Sequence, residues 1–191
     1  TVQNGALLAS TKWRDLIDAE YALNSDGGGG TILADGSVDY FGVQVAEKIY
    51  ADYRLTTTNR GGHSSAPRDA NAIYQLAGAL KNLEEYRFTP RLTEINRPGF
   101  EHTAANDGGV FGALVKAWLD DPTNMEFADD VEAVAPGSTR TRCVATMISG
   151  GHALNALPQK AEANVNCRIF PTESADEVKA ILQDIAGPEV T

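Results

Sequence analysis

Two stretches of alternating residues set the strongest limits on the fold. Between residues 49 and 55, and again between residues 161 and 169, every second residue is apolar, which is the period of a strand with one buried face. The apolar positions are Ile49, Ala51, Tyr53 and Leu55, then Ala161, Ala163, Val165, Cys167 and Ile169. The residues before 150 are expected to form another strand, joined to the second stretch by the long hairpin loop GGHALNALPQ. The chain therefore needs other elements to cover one apolar sheet face.

Apolar residues at three- and four-residue steps predict the helices that cover this face. The first helix is expected to begin near Asp69 as its cap, and the last to begin with a capping box at Ser174 and Glu177 and to end at Gly187. Their apolar positions are Ile73, Leu76, Ala77, Leu80 and Leu83 in one, and Val178, Ile181, Leu182 and Ile185 in the other. Both helices are amphipathic.

The middle of the chain predicts less regular structure. Residues 88–102 are interrupted by prolines and are expected to hold one short strand, residues 110–119 an inserted helix, and the acidic residues 120–138 at most a weak helical stretch. This order of elements predicts an α+β fold. The simplest topology is a ferredoxin-like two-layer sandwich, an antiparallel sheet of about four strands with helices on one face.

The first forty residues predict a separate piece. WRDLIDA favours a short helix and EYALN a short strand, and the glycines of SDGGGG then interrupt regular structure. Such a unit is too small to bury its own apolar face. We therefore expect residues 1–42 to be the remnant of another domain, and residues 43–191 to form the second domain.

Charge and hydropathy exclude several classes of function. The net charge of −10 and the pI near 4.7 disfavour nucleic acid, whose binding needs Lys and Arg against phosphates. No apolar run approaches the roughly 20 residues that span a bilayer, and the first residues lack a signal-peptide pattern, so we expect a soluble cytoplasmic or periplasmic protein without a membrane partner. For Cys143 and Cys167 we favour two buried thiols over a disulfide bond, although a hairpin could bring them together.

Three stretches hold the residues that could do chemistry. His63 follows two glycines and precedes a proline, so it is either an exposed loop residue or a ring aimed at a target. Asp26 is either the start of an Asx turn or a metal ligand at the end of a strand. Asn155 and Arg168 are either surface residues or polar groups that face one cavity, where a guanidinium suits a carboxylate. His102 and His152 are expected to be loop residues without a role.

NSDGGGG, GGHSSAP and NALPQKAEANVNCRIFP, taken in this order, resemble the M20 family of zinc metallopeptidases, which includes aminoacylases, carboxypeptidases and carnosinases. The resemblance covers nearly the whole chain, but only these three motifs are specific. It implies that residues 1–42 end the first catalytic segment and that the remainder is a lid domain, which also forms the homodimer. Asp26 would then bind one of two zinc ions, His63 would reach the partner's active site, and Asn155 and Arg168 would hold a peptide or N-acyl amino acid.

The remaining motifs of that family, its first histidine and bridging aspartate, its acidic pair and its final histidine, are absent from these residues. The resemblance therefore implies that the chain alone binds no zinc pair and is inactive. Two alternatives stay open: a non-catalytic module that binds a small ligand, and a pure homodimerisation unit.

Overall fold

The computed structural model describes residues 4–21 and 29–191, which form two compact units, one up to Val45 and one from Ala46 to Thr191. The first unit contains α1 (Gly5–Thr11), α2 (Arg14–Ile17), and a hairpin of β1 (Gly29–Ile32) and β2 (Val38–Gly42). The hairpin is a correction, because two of the four glycines that were expected to interrupt regular structure lie in β1. Asp26 and most of the predicted strand EYALN lie outside the described residues.

The second unit is built on a three-stranded antiparallel sheet. Its strands are β3 (Ile49–Thr58), β5 (Arg142–Gly150) and β7 (Lys160–Ile169), in the order β3–β7–β5. The alternation predicted for β7 is confirmed, because all five apolar positions are buried while Arg168 and its polar neighbours lie on the opposite face. The central strand β7 therefore has a core face and a polar face.

Two helices cover the core face, α3 (Ala72–Glu85) and α7 (Ala175–Ala186). The capping box of Ser174 and Glu177 is confirmed. The cap of α3 is Asn71 instead of Asp69, since the Asn71 side chain accepts hydrogen bonds from the backbone N–H groups of Ile73 and Tyr74. The helix consequently begins later than predicted, and its buried residues are Ala72, Leu76, Ala79 and Leu83.

Three helices lie between α3 and β5, where one inserted helix, a short strand and at most a weak helical stretch were predicted. They are α4 (Arg97–Asn106), α5 (Val110–Asp120) and α6 (Met125–Val134), with a second apolar cluster around Trp118. Pro98 lies in the first turn of α4, where the missing N–H costs no helical hydrogen bond, so it starts a helix instead of interrupting a strand. His102 accordingly lies in α4 and not in a loop.

The buried carboxylate of Glu132 joins α6 to the start of β5. It accepts hydrogen bonds from the backbone N–H groups of Gly137 and Thr139 and forms an ion pair with Arg142 at 3.0 Å. Burial opposes the ionisation of Glu132, but the hydrogen bonds from Thr139 and Gly137 outweigh it and hold its pKa below the usual value.

Glu132→Gln is expected to lower the free energy of unfolding by about 1–3 kcal/mol near neutral pH, because a buried amide oxygen replaces a charged acceptor. A lowered carboxyl pKa stabilises the fold above the unfolded-state pKa, here near 4.5, and this contribution is lost as the pH falls through the folded-state pKa. Urea unfolding at about pH 7 and about pH 3 should therefore show a smaller difference between the two proteins in acid. The exposed Asp130→Asn in the same helix is the control; an equal difference at both pH values contradicts the assignment.

The sheet was predicted to have about four strands, but the described residues form three. On the outer side of β3, the described residues form only an isolated antiparallel bridge between Thr57 and Val190, with Thr56 and Thr191 exchanging two backbone hydrogen bonds at 2.7 and 2.9 Å. This contact is too short to make a fourth strand of the sheet. On the other side, β5 pairs only with β7 in the described part of the chain.

Cys143 and Cys167 form a disulfide bond, so the expectation of two free thiols is wrong. The two residues are direct partners in the β5–β7 register, with Cα atoms 4.1 Å apart. Adjacent antiparallel strands bring directly opposed residues within reach of a disulfide. None of the described helices is long and apolar enough to cross a bilayer.

Candidate functional site

The glycine-histidine loop is anchored to the hairpin loop by a short pair of strands. β4 (Gly62–His63) pairs with β6 (Ala156–Leu157), and His63 is the register partner of Ala156. Gly61 has φ of 69°, and a Cβ atom there would lie 2.7 Å from the Gln159 side chain. A side chain at this position would be both strained and crowded, so glycine is what allows the two loops to meet.

The imidazole of His63 is exposed to solvent and held by its own loop. Its Nδ1 accepts a hydrogen bond from the backbone N–H of Ser65 at 3.2 Å, and the Ser65 hydroxyl lies 2.8 Å from the same nitrogen. This exposure is consistent with both interpretations of the sequence, an exposed loop residue and a ring aimed at a target. The role of the ring stays a prediction.

Asn155 lies beside His63. The backbone N–H of Ser64 donates to the Asn155 carbonyl at 2.9 Å, and the Asn155 side chain is exposed in the turn before β6. The backbone contacts therefore keep His63 and Asn155 at the same end of the sheet. His152, in the same hairpin loop, is exposed as predicted.

Arg168 lies at the other end of β7. It is eight positions after Lys160, where β7 begins, so the strand carries it about 26 Å away from the hairpin loop. Within a single chain Arg168 therefore does not lie next to His63 and Asn155, and the interpretation that Asn155 and Arg168 face one cavity stays a prediction. The alternation of β7 predicted the face on which Arg168 lies, but the length of the strand sets its distance from Asn155.

Arg168 belongs to a network of polar side chains on the open face of the sheet. Its guanidinium lies 4.8 Å from the centre of the Tyr50 ring, and the Tyr50 hydroxyl donates to Asp52 at 2.8 Å. The amides of Asn164 and Asn166 each donate to Asp52 at 3.0 Å. The alternation in β3 and β7 puts Asp52, Asn164 and Asn166 at polar positions, but it does not by itself predict this network, which joins two strands far apart in the sequence.

The network also sets the charge of this face. Hydrogen bonds from Asn166, Asn164 and Tyr50 hold the pKa of Asp52 below its usual value, and the bond to Asp52 raises the pKa of Tyr50. Asp52 is therefore an anion that draws the Tyr50 hydroxyl towards it and keeps the ring under the Arg168 guanidinium. Such a stacked guanidinium keeps its outer N–H groups available for a carboxylate.

The described residues do not fit a metal centre. In residues 4–21 and 29–191, no three His, Cys, Asp or Glu side chains lie close enough together to hold an ion. Asp26, the predicted metal ligand, lies outside these ranges, and its role stays a prediction.

Several large apolar side chains of β5 and α3 are exposed. Val144, Met147 and Ile148 of β5 are 55%, 72% and 66% exposed, and Tyr74 of α3 is 74% exposed. A strand edge with exposed apolar side chains is typical of a surface that pairs with another chain.

Comparison with known proteins places the chain in a family. Residues 45–190 match M20_dimer, the peptidase dimerisation domain. The chain is 30% identical over 137 residues to the probable carboxypeptidase S-like 2 of Dictyostelium discoideum, covering 71% of this chain and 26% of that protein. It is 26% identical over 171 residues to the N-fatty-acyl-amino acid synthase/hydrolase PM20D1 of Bos taurus, covering 84% of this chain and 33% of that protein.

Among solved structures, the chain matches the M20 family metallo-carboxypeptidase Sso-CP2 from Sulfolobus solfataricus with a TM-score of 0.42 and 18% sequence identity, over 76% of this chain and 37% of that one. The chain spans about a quarter to a third of the length of the two curated relatives. Because the family match covers most of the sequence, the chain belongs to the M20_dimer family of peptidase dimerisation domains.

Proposed function

We propose that the chain is the lid and dimerisation part of a zinc-dependent peptidase or amidohydrolase that cleaves the amide bond next to a free carboxylate. The family match and the names of the relatives, a carboxypeptidase and an N-fatty-acyl-amino acid synthase/hydrolase, support this class. The observation that carries the proposal is the pair of exposed side chains, His63 and Asn155, held together by β4 and β6 at one end of the sheet.

The proposed enzyme is a homodimer in which the β5 strands of two chains pair. β5 has no second strand partner in the described residues and exposes apolar side chains. A two-fold axis makes such a strand pair antiparallel, so the beginning of β5 lies near the end of the partner's β5. Arg142, at the beginning, is the register partner of Arg168, while the end of β5 leads into the loop that holds Asn155. The partner's His63 and the partner's Asn155 would thus approach Arg168.

In this arrangement His63 stabilises the transition state of amide hydrolysis. Attack on the carbonyl carbon moves negative charge onto the carbonyl oxygen, and a hydrogen-bond donor held in place beforehand stabilises that charge. The exposed ring of His63 can be delivered by a lid that closes over the substrate and excludes water. Asn155, beside it, would hold the substrate backbone through its amide.

Arg168 makes the proposed enzyme prefer substrates that carry a free carboxylate. A guanidinium can hold a carboxylate through two parallel hydrogen bonds, and the attraction of the Tyr50 ring, 4.8 Å from it, helps to hold the guanidinium at this place on the sheet. Fixing the far end of the substrate limits cleavage to the bond beside the carboxylate.

Zinc is proposed from the family resemblance, with Asp26 as one ligand. The described residues form no metal site of their own, so no step above depends on a metal held by them, and the chain alone is proposed to be inactive.

A pair of substrates tests the role of Arg168. The full-length protein should cleave an N-acyl amino acid about ten to a hundred times faster than the corresponding amino acid amide, because loss of the carboxylate removes a charge-assisted hydrogen-bond pair. In Arg168→Ala, kcat/KM for the acid should fall to near that for the amide. Arg54→Ala, on the polar face of β3 and opposite Asn164, is the control. A preference for the acid that survives in Arg168→Ala contradicts the assignment of this residue.

A further inference from the structure

Among the residues that the structure describes, Ser65 makes the hydrogen bonds to the ring of His63, both of them at Nδ1. The backbone N–H of Ser65 donates to Nδ1 at 3.2 Å, and the Ser65 hydroxyl lies 2.8 Å from the same atom. These two contacts decide which ring nitrogen carries the proton of the neutral imidazole.

A backbone N–H group can only donate a hydrogen bond, so Nδ1 must present its lone pair to it. The neutral imidazole has one N–H group, which must then lie on Nε2. The serine hydroxyl, which can rotate, donates to the same lone pair and adds to the preference. We infer that Ser65 is a positioning residue that holds His63 in the tautomer with the proton on Nε2.

The local backbone keeps Ser65 in this place. The N–H of Ala66 donates to the His63 carbonyl at 3.0 Å and closes a turn that holds the Ser65 N–H against the ring. The N–H of Ser64 donates to the Asn155 carbonyl, so the same turn is tied to the hairpin loop. Pro67 follows directly and restricts the backbone after the turn. The Nε2–H group, which is the hydrogen-bond donor of the His63 ring in this tautomer, therefore has a defined position relative to Asn155.

The consequence for catalysis rests on the proposed function. With the proton on Nε2, the outward nitrogen of His63 is a donor to the carbonyl oxygen on which negative charge develops. With the proton on Nδ1, the same nitrogen would present a lone pair to that charge and repel it. Ser65 thus acts on the transition state through His63 and does not touch the substrate.

The tautomer can be measured without any activity. The 191-residue chain has three histidines, so ¹⁵N-histidine labelling gives a small set of ring signals, which His102→Gln and His152→Gln assign. In the neutral ring of His63, Nδ1 should give the signal of an unprotonated nitrogen and Nε2 that of a protonated one. Ser65→Ala keeps the backbone N–H but loses the hydroxyl, so the two signals should move part of the way towards each other, because one of the two donors that favour this tautomer is gone.

Kinetics of the full-length protein give the second measurement. Ser65→Ala should lower kcat about five- to tenfold with KM changed less than about twofold, as for the loss of one hydrogen bond. Ser65→Thr, which keeps the hydroxyl, should retain most of the wild-type rate. The control is Ser64→Ala, which keeps the backbone bond to Asn155 and should match the wild type.

A neutral His63 with its proton on Nδ1, or a Ser65→Ala protein with unchanged ring signals and unchanged kcat, overturns the inference. These outcomes are distinguishable from failure of the proposed function. If His63→Ala is fully active, the catalytic role fails, while the ring signals still decide the tautomer.

Discussion

His63→Ala in the full-length protein should lower kcat by about two to three orders of magnitude, which is the usual effect of removing one hydrogen-bond donor to an oxyanion. The metal content should stay unchanged, because the ring of His63 contacts its own loop through Ser65 and belongs to no metal cluster among the described residues. KM should change little, since the donor acts mainly on charge that develops in the transition state. Turnover of an N-acyl amino acid and metal analysis of the purified protein measure both quantities.

His152→Ala is the matched control for this experiment. His152 is also an exposed histidine, and it lies three positions before Asn155 in the hairpin loop. Its substitution should leave kcat within about twofold of the wild-type value, because surface changes of this kind usually have small effects. A His63→Ala protein with the wild-type rate removes the catalytic role and leaves a binding or dimerisation module as the better description.

The elements that were predicted correctly are those whose sequence patterns lie within one strand or one helical turn. The alternation in β7 and the capping box at Ser174 and Glu177 depend on residues within one turn or one strand, and the structure confirms both. The start of α3 was missed by two residues because Asp69 and Asn71 are both good caps, and the packing of Ala72 in the core favours the second. Pro98 was interpreted as an interruption because its place in a first turn depends on where the helix begins.

The arrangement of the site depends on features that are not local. The hairpin between β5 and β7 was predicted, but its register was not, and the register is what places Cys143 opposite Cys167. Likewise, the three motif residues were identified individually, but the length of β7 separates Arg168 from His63 and Asn155. The contact between Tyr50 and Arg168 was not predicted, because it joins two strands that are far apart in the sequence.

A mixed dimer should recover activity that neither parent has. In the proposed enzyme, each site uses Arg168 of one chain and the partner's His63. A dimer of one His63→Ala chain and one Arg168→Ala chain therefore contains one intact site and one site with both substitutions. Co-expression with two different affinity tags and sequential purification should yield a heterodimer with about half of the wild-type kcat per dimer, while each parent homodimer stays at least about tenfold below it.

The size of this recovery separates the two possible arrangements of the site. If His63 and Arg168 of the same chain served one site, every site of the heterodimer would carry one substitution, and its rate could not exceed the mean of the two parents. The distance of about 26 Å that β7 sets between the hairpin loop and Arg168 makes the shared site the arrangement that one substrate can bridge.

Charged substitutions on the β5 edge, such as Ile148→Lys, should abolish the recovery by preventing pairing of the strands. Ile148 is 66% exposed and contributes little to the fold of its own chain. A heterodimer without recovery, purified intact, therefore rules out the shared site.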